Sequence, residues 1–278
     1  MKLFDSFLIT LGMYTIIPVP QRAWTERGMR WTMLWLPFAG IIVSGGWLFL
    51  LWLVWQGLVG NFIAAALLTL WPVMITGGLH IDGLADAADA IGSRRDRETR
   101  LRIMKEPTSG PSAILWTVSV LLIQLMAWLE ILNIRQANNF WARPGTTFRS
   151  IILLLLIPVL SRIMAGLGVS LLPPARANGL VKTFRDGLAP VVLPALVVIA
   201  IIAAIGCLLL DTIIGFILLA SAALCFISWL IMCRRGFGGV TGDLAGFLIV
   251  ISETVLLLVF SVAYYLIITL GVKIRCYG

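Results

Sequence analysis

The fold is decided by Thr76-Gly77-Gly78-Leu79-His80-Ile81-Asp82-Gly83-Leu84-Ala85-Asp86-Ala87-Ala88-Asp89-Ala90, which follows an apolar run that begins near Phe62. The only histidine of the chain and three of its 13 acids thus arrive at the end of a predicted membrane helix. Insertion scales charge roughly 2.5–3.5 kcal/mol for an acid at a helix centre, so three in one stretch require water, a partner or a cation. On a helix, Asp82, Asp86 and Asp89 fall at i, i+4 and i+7 and share one face. Like charges so placed repel unless something positive lies between them. A hard divalent cation meets that need, and Mg2+ takes few carboxylates and completes its shell with substrate phosphate oxygens. Asp82, Asp86 and Asp89 are therefore candidate metal ligands. The competing reading is a solvated helix end with an acidic stripe.

Composition sets the class. The 278 residues are 60% hydrophobic and 12% charged, with a mean hydropathy of +1.01. That describes an all-α polytopic membrane protein, read here as one integral domain over residues 1–278. Its partner is the lipid bilayer. The net charge of +8 reflects basic residues at the ends of apolar spans, so nucleic acid is not an expected partner. Cys207, Cys225, Cys233 and Cys276 show neither zinc nor disulfide spacing.

In chain order, the short apolar stretch from Phe7 to Pro20 has no cleavage signature after it and reads as a retained amphipathic or re-entrant segment. About seven spans follow: 31–55, 62 into the Asp cluster, 112–133, 150–172, 190–210, 212–233 and 244–271. Only Asp211 separates the fifth from the sixth, which predicts a tight hairpin. Of the 21 Lys and Arg, fifteen fall on the N-terminal side of the membrane and five on the other. This asymmetry predicts a cytoplasmic N-terminus. It also gathers the Asp cluster, the basic loop from Arg94 to Lys105 and the Thr241-Gly242-Asp243 turn at one cytoplasmic mouth. No internal repeat or inverted half is evident, which weakens a transporter reading.

Other residues can serve that mouth. Arg162 lies within the fourth span beside Ser161, and an intramembrane arginine is a functional candidate; pairing with Glu253 or an Asp of the cluster is the structural alternative. Arg102 and Lys105, next to Glu106 and the Pro107-Thr108-Ser109-Gly110 turn, are candidates for phosphate contact. Thr241 and Gly242 precede Asp243, where backbone can approach a bound group at a helix N-terminus. His80 reads as a general base, as a group orienting an Asp, or as a satisfied interfacial histidine. Carboxylates with a divalent ion and arginines at a membrane surface point to phosphoryl or nucleotidyl-linked transfer.

The block from Gly77 to Asp89 closely resembles the cobalamin synthase family of adenosylcobinamide-GDP ribazoletransferases. The resemblance continues through Arg102-Ile103-Met104-Lys105, Ser161-Arg162 and Gly238-Gly239-Val240-Thr241-Gly242-Asp243, with Glu253 ten residues on. The N-terminal Phe7-Leu8-Ile9-Thr10 and Ile17-Pro18-Val19-Pro20 also look like the family's. The resemblance implies an integral enzyme of the bacterial or archaeal inner membrane, in the last steps of cobalamin biosynthesis. It would join adenosylcobinamide-GDP to α-ribazole or its 5'-phosphate, release GMP and require Mg2+. On that reading Asp82, Asp86 and Asp89 hold metal and pyrophosphate, Arg162 and Lys105 bind phosphate, and Asp243 completes the metal shell or acts as base.

Two positions depart from the family pattern. Where the family usually reads Met-Lys/Arg-Asp-Ser-Arg-x-Gly, this chain has Met104-Lys105-Glu106-Pro107-Thr108-Ser109-Gly110, and a common Glu of the last span is Val250 here. Glu106 can still reach a metal from one methylene further away, and it joins the expected ligand set. A CDP-alcohol-type phosphotransferase is the alternative enzyme, disfavoured because Ala85 is followed by Asp86 where that motif needs arginine. A cation-coupled transporter is the alternative outside enzymes. A second copy of the chain is a further candidate partner.

Overall fold

The computed structural model describes residues 2–20, 26–137 and 144–276. Arg22 and Arg143, both counted in the charge asymmetry, lie outside the described residues. In order come α1 (Lys2–Tyr14), α2 (Glu26–Met29), α3 (Thr32–Trp55), α4 (Asn61–Ile75), α5 (Leu79–Gly92), α6 (Arg97–Ile103), α7 (Pro111–Ala137), α8 (Pro144–Leu171), α9 (Leu180–Gly187), α10 (Val192–Leu210), α11 (Thr212–Met232) and α12 (Gly242–Cys276). Among the described residues no strand forms, and Pro174 and Val240 make an isolated parallel bridge.

Six helices, α3, α7, α8, α10, α11 and α12, are long and apolar enough to cross a membrane, and α4 with α5 passes only as a pair. The expected architecture of about seven spans holds, with one correction. The second span is not one helix, because α4 and α5 are bent by 88° to each other. Gly77 and Gly78 at the break have φ of +60° and +80°, a region that side chains with a Cβ rarely enter. At about 1.5 Å per residue, the 15 residues of α4 cover roughly 22 Å, less than a full hydrocarbon core. The acids therefore ride on a separate helix that turns across the end of the bundle.

α8 and α12 form the centre, each 67% buried over its apolar window, whereas α10 and α11 are 17% and 22% buried and pack at the periphery. Asp211 caps α11, accepting from the amides of Ile213 (3.0 Å) and Ile214 (2.9 Å), and so makes the expected tight hairpin. α1 is the expected N-terminal segment: Phe7 packs edge-on against Trp35 and Phe38 of α3, and the Thr10 hydroxyl donates to the Thr32 carbonyl at 3.2 Å.

Two contacts lock the centre. The first joins α8 to α12 through an ion pair between Arg162 and Glu253, which are 0% and 4% exposed. Ser161 Oγ lies 3.2 Å from Glu253 Oε1, and Arg162 Nη1 also donates to the Pro158 carbonyl at 3.2 Å. Arg162 is thus paired within the bundle interior, the structural alternative given for it above, and its charge is balanced there by Glu253. The second is the crossing of α5 on α12. A Cβ on Gly83 would lie 2.8 Å from the Asp243 carbonyl oxygen and 3.3 Å from Gly246 Cα, and one on Gly246 would lie 3.3 Å from the His80 carbonyl. Small residues at the crossing bring the two backbones into contact.

Both contacts make testable demands. Arg162→Ala should destabilise the fold by about 3–5 kcal/mol by stranding Glu253, and Arg162→Met with Glu253→Leu should recover most of that loss in detergent unfolding curves. Gly83→Val should destabilise by about 1–3 kcal/mol through overpacking. Gly206→Ala, in α10 with open space around it, should instead be neutral or stabilising by up to about 1 kcal/mol.

Candidate active site

The site is assembled from four distant segments at one end of the bundle. The Ile16 amide donates to the Ile75 carbonyl at 2.8 Å, which holds the chain after α1 against the α4–α5 break. Tyr14 is thereby stacked on His80 of the first turn of α5, with ring centroids 6.2 Å apart and 29° between planes. His80 is 6% exposed, and its Nε2 has no protein partner among the described residues. Further along the same helix, Asp82 stands exposed and Asp86 half-buried.

The start of α12 supplies the fourth acid. Thr241 closes the helix N-terminus by accepting from the Leu244 amide at 3.2 Å, and the α5 crossing brings Asp243 beside Asp82 and Asp86. Thr241, 4% exposed, serves as this cap and also lines the cavity described below. The segment before it pairs with the chain leaving α8: Ala175 N donates to Val240 O and Val240 N to Pro173 O, both at 2.9 Å. A Cβ on Gly239 would lie 2.3 Å from that Pro173 oxygen, so the bridge requires glycine there. This pairing delivers Arg176, whose Nη1 lies 3.9 Å from Asp243 Oδ2 and whose Nη2 donates to the Leu101 carbonyl at 2.9 Å.

Arg176 was not predicted as a site residue. Its only sequence signal was membership of the basic loop after α8, used there to assign topology. What brings it to Asp243 is the Pro174–Val240 bridge, a tertiary contact between segments some 65 residues apart.

A cavity of about 440 Å³ opens among these groups, and Asp82, His80, Tyr14, Arg176, Gly242 and Asp243 line its polar end. Arg176 also walls a second cleft of about 560 Å³ that holds Arg102 and Lys105. The two predicted phosphate-binding residues are therefore neighbours of the main cavity through Arg176. Asp96 and Glu98 share that cleft. The Thr99 hydroxyl (2.7 Å) and amide (3.3 Å) donate to Asp96, which caps α6, and hold its carboxyl below the usual range.

The predicted metal ligands do not converge. Among the described residues, no group of three or more His, Cys, Asp and Glu is placed to hold a metal by itself. Asp89 accepts from the amides of Gly110 and Ala113 (2.8 Å to the latter), so both its oxygens close the N-terminus of α7. Glu106 is exposed in the loop between α6 and α7 and lines neither cavity. Asp82, Asp86 and Asp243 remain. The charges of Asp82 and Asp243 both repel Asp86, while Arg176 offsets part of the repulsion. An incomplete carboxylate set beside open space is what a Mg2+ site closed by substrate phosphate oxygens needs.

A family model described as cobalamin-5-phosphate synthase matches residues 6–261. The adenosylcobinamide-GDP ribazoletransferase of Lachnoclostridium phytofermentans is 35% identical over 255 residues, covering 91% of this chain and 92% of the relative. Proteins of the same name from Clostridium perfringens and Acinetobacter baumannii are 30% and 31% identical, covering 91% and 93% of this chain and 96% and 98% of the relatives. No solved structure matches. A match that runs through α1, the α5 acids, the buried ion pair and the Asp243 turn places this chain in the cobalamin-5-phosphate synthase family.

Proposed function

We propose that this chain joins adenosylcobinamide-GDP to α-ribazole or its 5'-phosphate and releases GMP, at the cytoplasmic face of the membrane. The observation that carries the reading is one cavity wall that gathers His80, Asp82, Arg176 and Asp243, in a chain aligned with ribazoletransferases over nine-tenths of its length. The charge asymmetry supports the orientation, since the basic loops flank that cavity.

Atom balance fixes the bond that breaks. GMP keeps one phosphorus, so the phosphorus nearer the cobinamide is transferred. A hydroxyl of the acceptor attacks it, a new P–O bond forms, and the bond to the bridging oxygen of the diphosphate breaks. His80 is the candidate to take the hydroxyl proton, because the residue lines the cavity and its buried Nε2 has no competing protein partner among the described residues. Arg176 offers a guanidinium to phosphate oxygens beside Asp243, and Arg102 and Lys105 extend the positive wall into the adjoining cleft. Asp82 and Asp243, which line the cavity with the Asp86 charge near them, are the residues that would hold Mg2+ while substrate oxygens complete its shell, and the ion would neutralise charge gathering on the diphosphate. Asp89 and Glu106 take no part in that shell: the one closes α7 and the other stands away from the cavity.

The test is GMP release by detergent-solubilised protein supplied with adenosylcobinamide-GDP, α-ribazole and Mg2+. Asp82→Ala, His80→Gln and chelation by EDTA should each lower the rate about 100-fold or more, and excess Mg2+ should restore only the chelated sample. A folded wild-type protein that releases no GMP would overturn the reading.

A further inference from the structure

Asp82 borders more than the cavity described above. A second depression, an open groove of about 850 Å³, runs between the end of α1, the α4–α5 break and one face of α7. The two spaces share Gly12, Met13, Leu79 and Asp82 as a common wall. Their characters differ. Besides its acids and Arg176, the 440 Å³ cavity is lined mainly by apolar side chains, among them Met33, Leu36, Ala165, Val169, Phe184 and Ile249, with Asn178, Lys182 and Thr241 as further polar members. The groove lies open, flanked by Ile114 and Val118, which are 61% and 50% exposed on α7.

Resting on the function proposed above, we infer that the two reactants enter from opposite sides of Asp82. The acceptor nucleoside fills the less open cavity with its base against the apolar side chains, and the corrinoid donor lies in the more open groove with its diphosphate at Asp82. Size separates them first. A cavity of about 440 Å³ is within the range of clefts that enclose drug-sized ligands, which suits a nucleoside. A corrin ring carrying a guanine nucleotide is too large to be enclosed there, and only its diphosphate has to reach the acid.

Polarity separates them next. Guanine against the apolar side chains would leave its amide and amino groups without partners, a penalty of about 1–3 kcal/mol for each buried group. A fused aromatic base with few polar atoms meets no such penalty, so Ala165 and Val169 determine which bases the enzyme accepts. Tyr14 and His80, stacked on each other, line the same cavity as the acids, and on this assignment they contact the acceptor.

Equilibrium binding of labelled α-ribazole to solubilised protein without donor reads the 440 Å³ cavity alone, and steady-state kinetics then reads both sides. Ala165→Leu, which adds bulk among the apolar side chains, should weaken α-ribazole binding about tenfold or more and raise the acceptor KM to match, with the donor KM within about twofold of wild type. Val169→Ala should weaken α-ribazole binding about three- to tenfold and favour bulkier bases, a second reading should the leucine variant fail to fold. Thr117→Trp, in the groove, should raise the donor KM and leave α-ribazole binding unchanged. If Ala165→Leu and Val169→Ala bind α-ribazole like wild type, or if the two KM effects are exchanged, the assignment is overturned. If α-ribazole binding follows the expected pattern and no GMP forms, it is the proposed reaction that fails and the base pocket that stands.

Discussion

Everything at the mouth depends on the absence of side chains where α5 crosses α12. Gly83 and Gly246 let the backbone of one helix rest on that of the other, with the Asp243 carbonyl where a Gly83 Cβ would be. Helices that meet through side chains run about 8–10 Å apart, which would separate the α5 acids from Asp243. Contact through glycine brings Asp82 and Asp243 to one cavity, with Asp86 close enough to feel both charges, although some 160 positions lie between the first two in sequence. Only then does the Pro174–Val240 bridge have a function, because it brings Arg176 to acids already assembled.

The sequence was legible where chemistry is written locally. The acids of α5 fall at helical spacing, Asp211 alone separates two apolar runs, and Trp31 to Trp55 is one uninterrupted span; each of these features reappears in the structure. It was less legible where one residue has two readings that only a third residue can separate. Arg162 in a membrane helix reads equally as ligand or as ion-pair partner, and Glu253, 91 positions away, decides for the pair. Asp89 shares the helical face of Asp82 and Asp86, yet the amides at the start of α7 draw it out of the cluster. Arg176 was illegible: no local pattern announces a residue whose position is set by a bridge between two loops. The bend at Gly77 and Gly78 could be read as a weak point but not as an 88° turn, because paired glycines permit left-handed backbone without requiring it.

The bend also explains how a membrane bundle tolerates so much charge. A straight second span would have carried three acids toward the end of an apolar helix, where each resists insertion. Breaking the span lets α4 remain apolar and turns α5 across the end of the bundle, where α6, the loop after α8 and the start of α12 meet it. The same turn leaves the shared wall of cavity and groove at the level of the break, open to a water-soluble nucleoside on one side and to a bulky amphipathic corrinoid on the other.

Charge accounting then narrows what the acids require. Asp89 is compensated by two backbone amides and the positive end of α7, and Glu253 by Arg162, so neither adds to the field at the mouth. Ionised, Asp82, Asp86 and Asp243 face one guanidinium, Arg176, and stand two positive charges short of balance. One divalent cation makes up that deficit without further protein ligands, whereas a monovalent ion or a lone lysine would leave the carboxylates repelling one another. A diphosphate at Asp82 adds negative charge to a site that Arg176 lines, and Arg176 also walls the cleft that holds Arg102 and Lys105. On the proposed function the acidic cluster would suit a divalent cation and the three cations of the cleft the substrate's phosphates, and Arg176, which lines both spaces, would join the two.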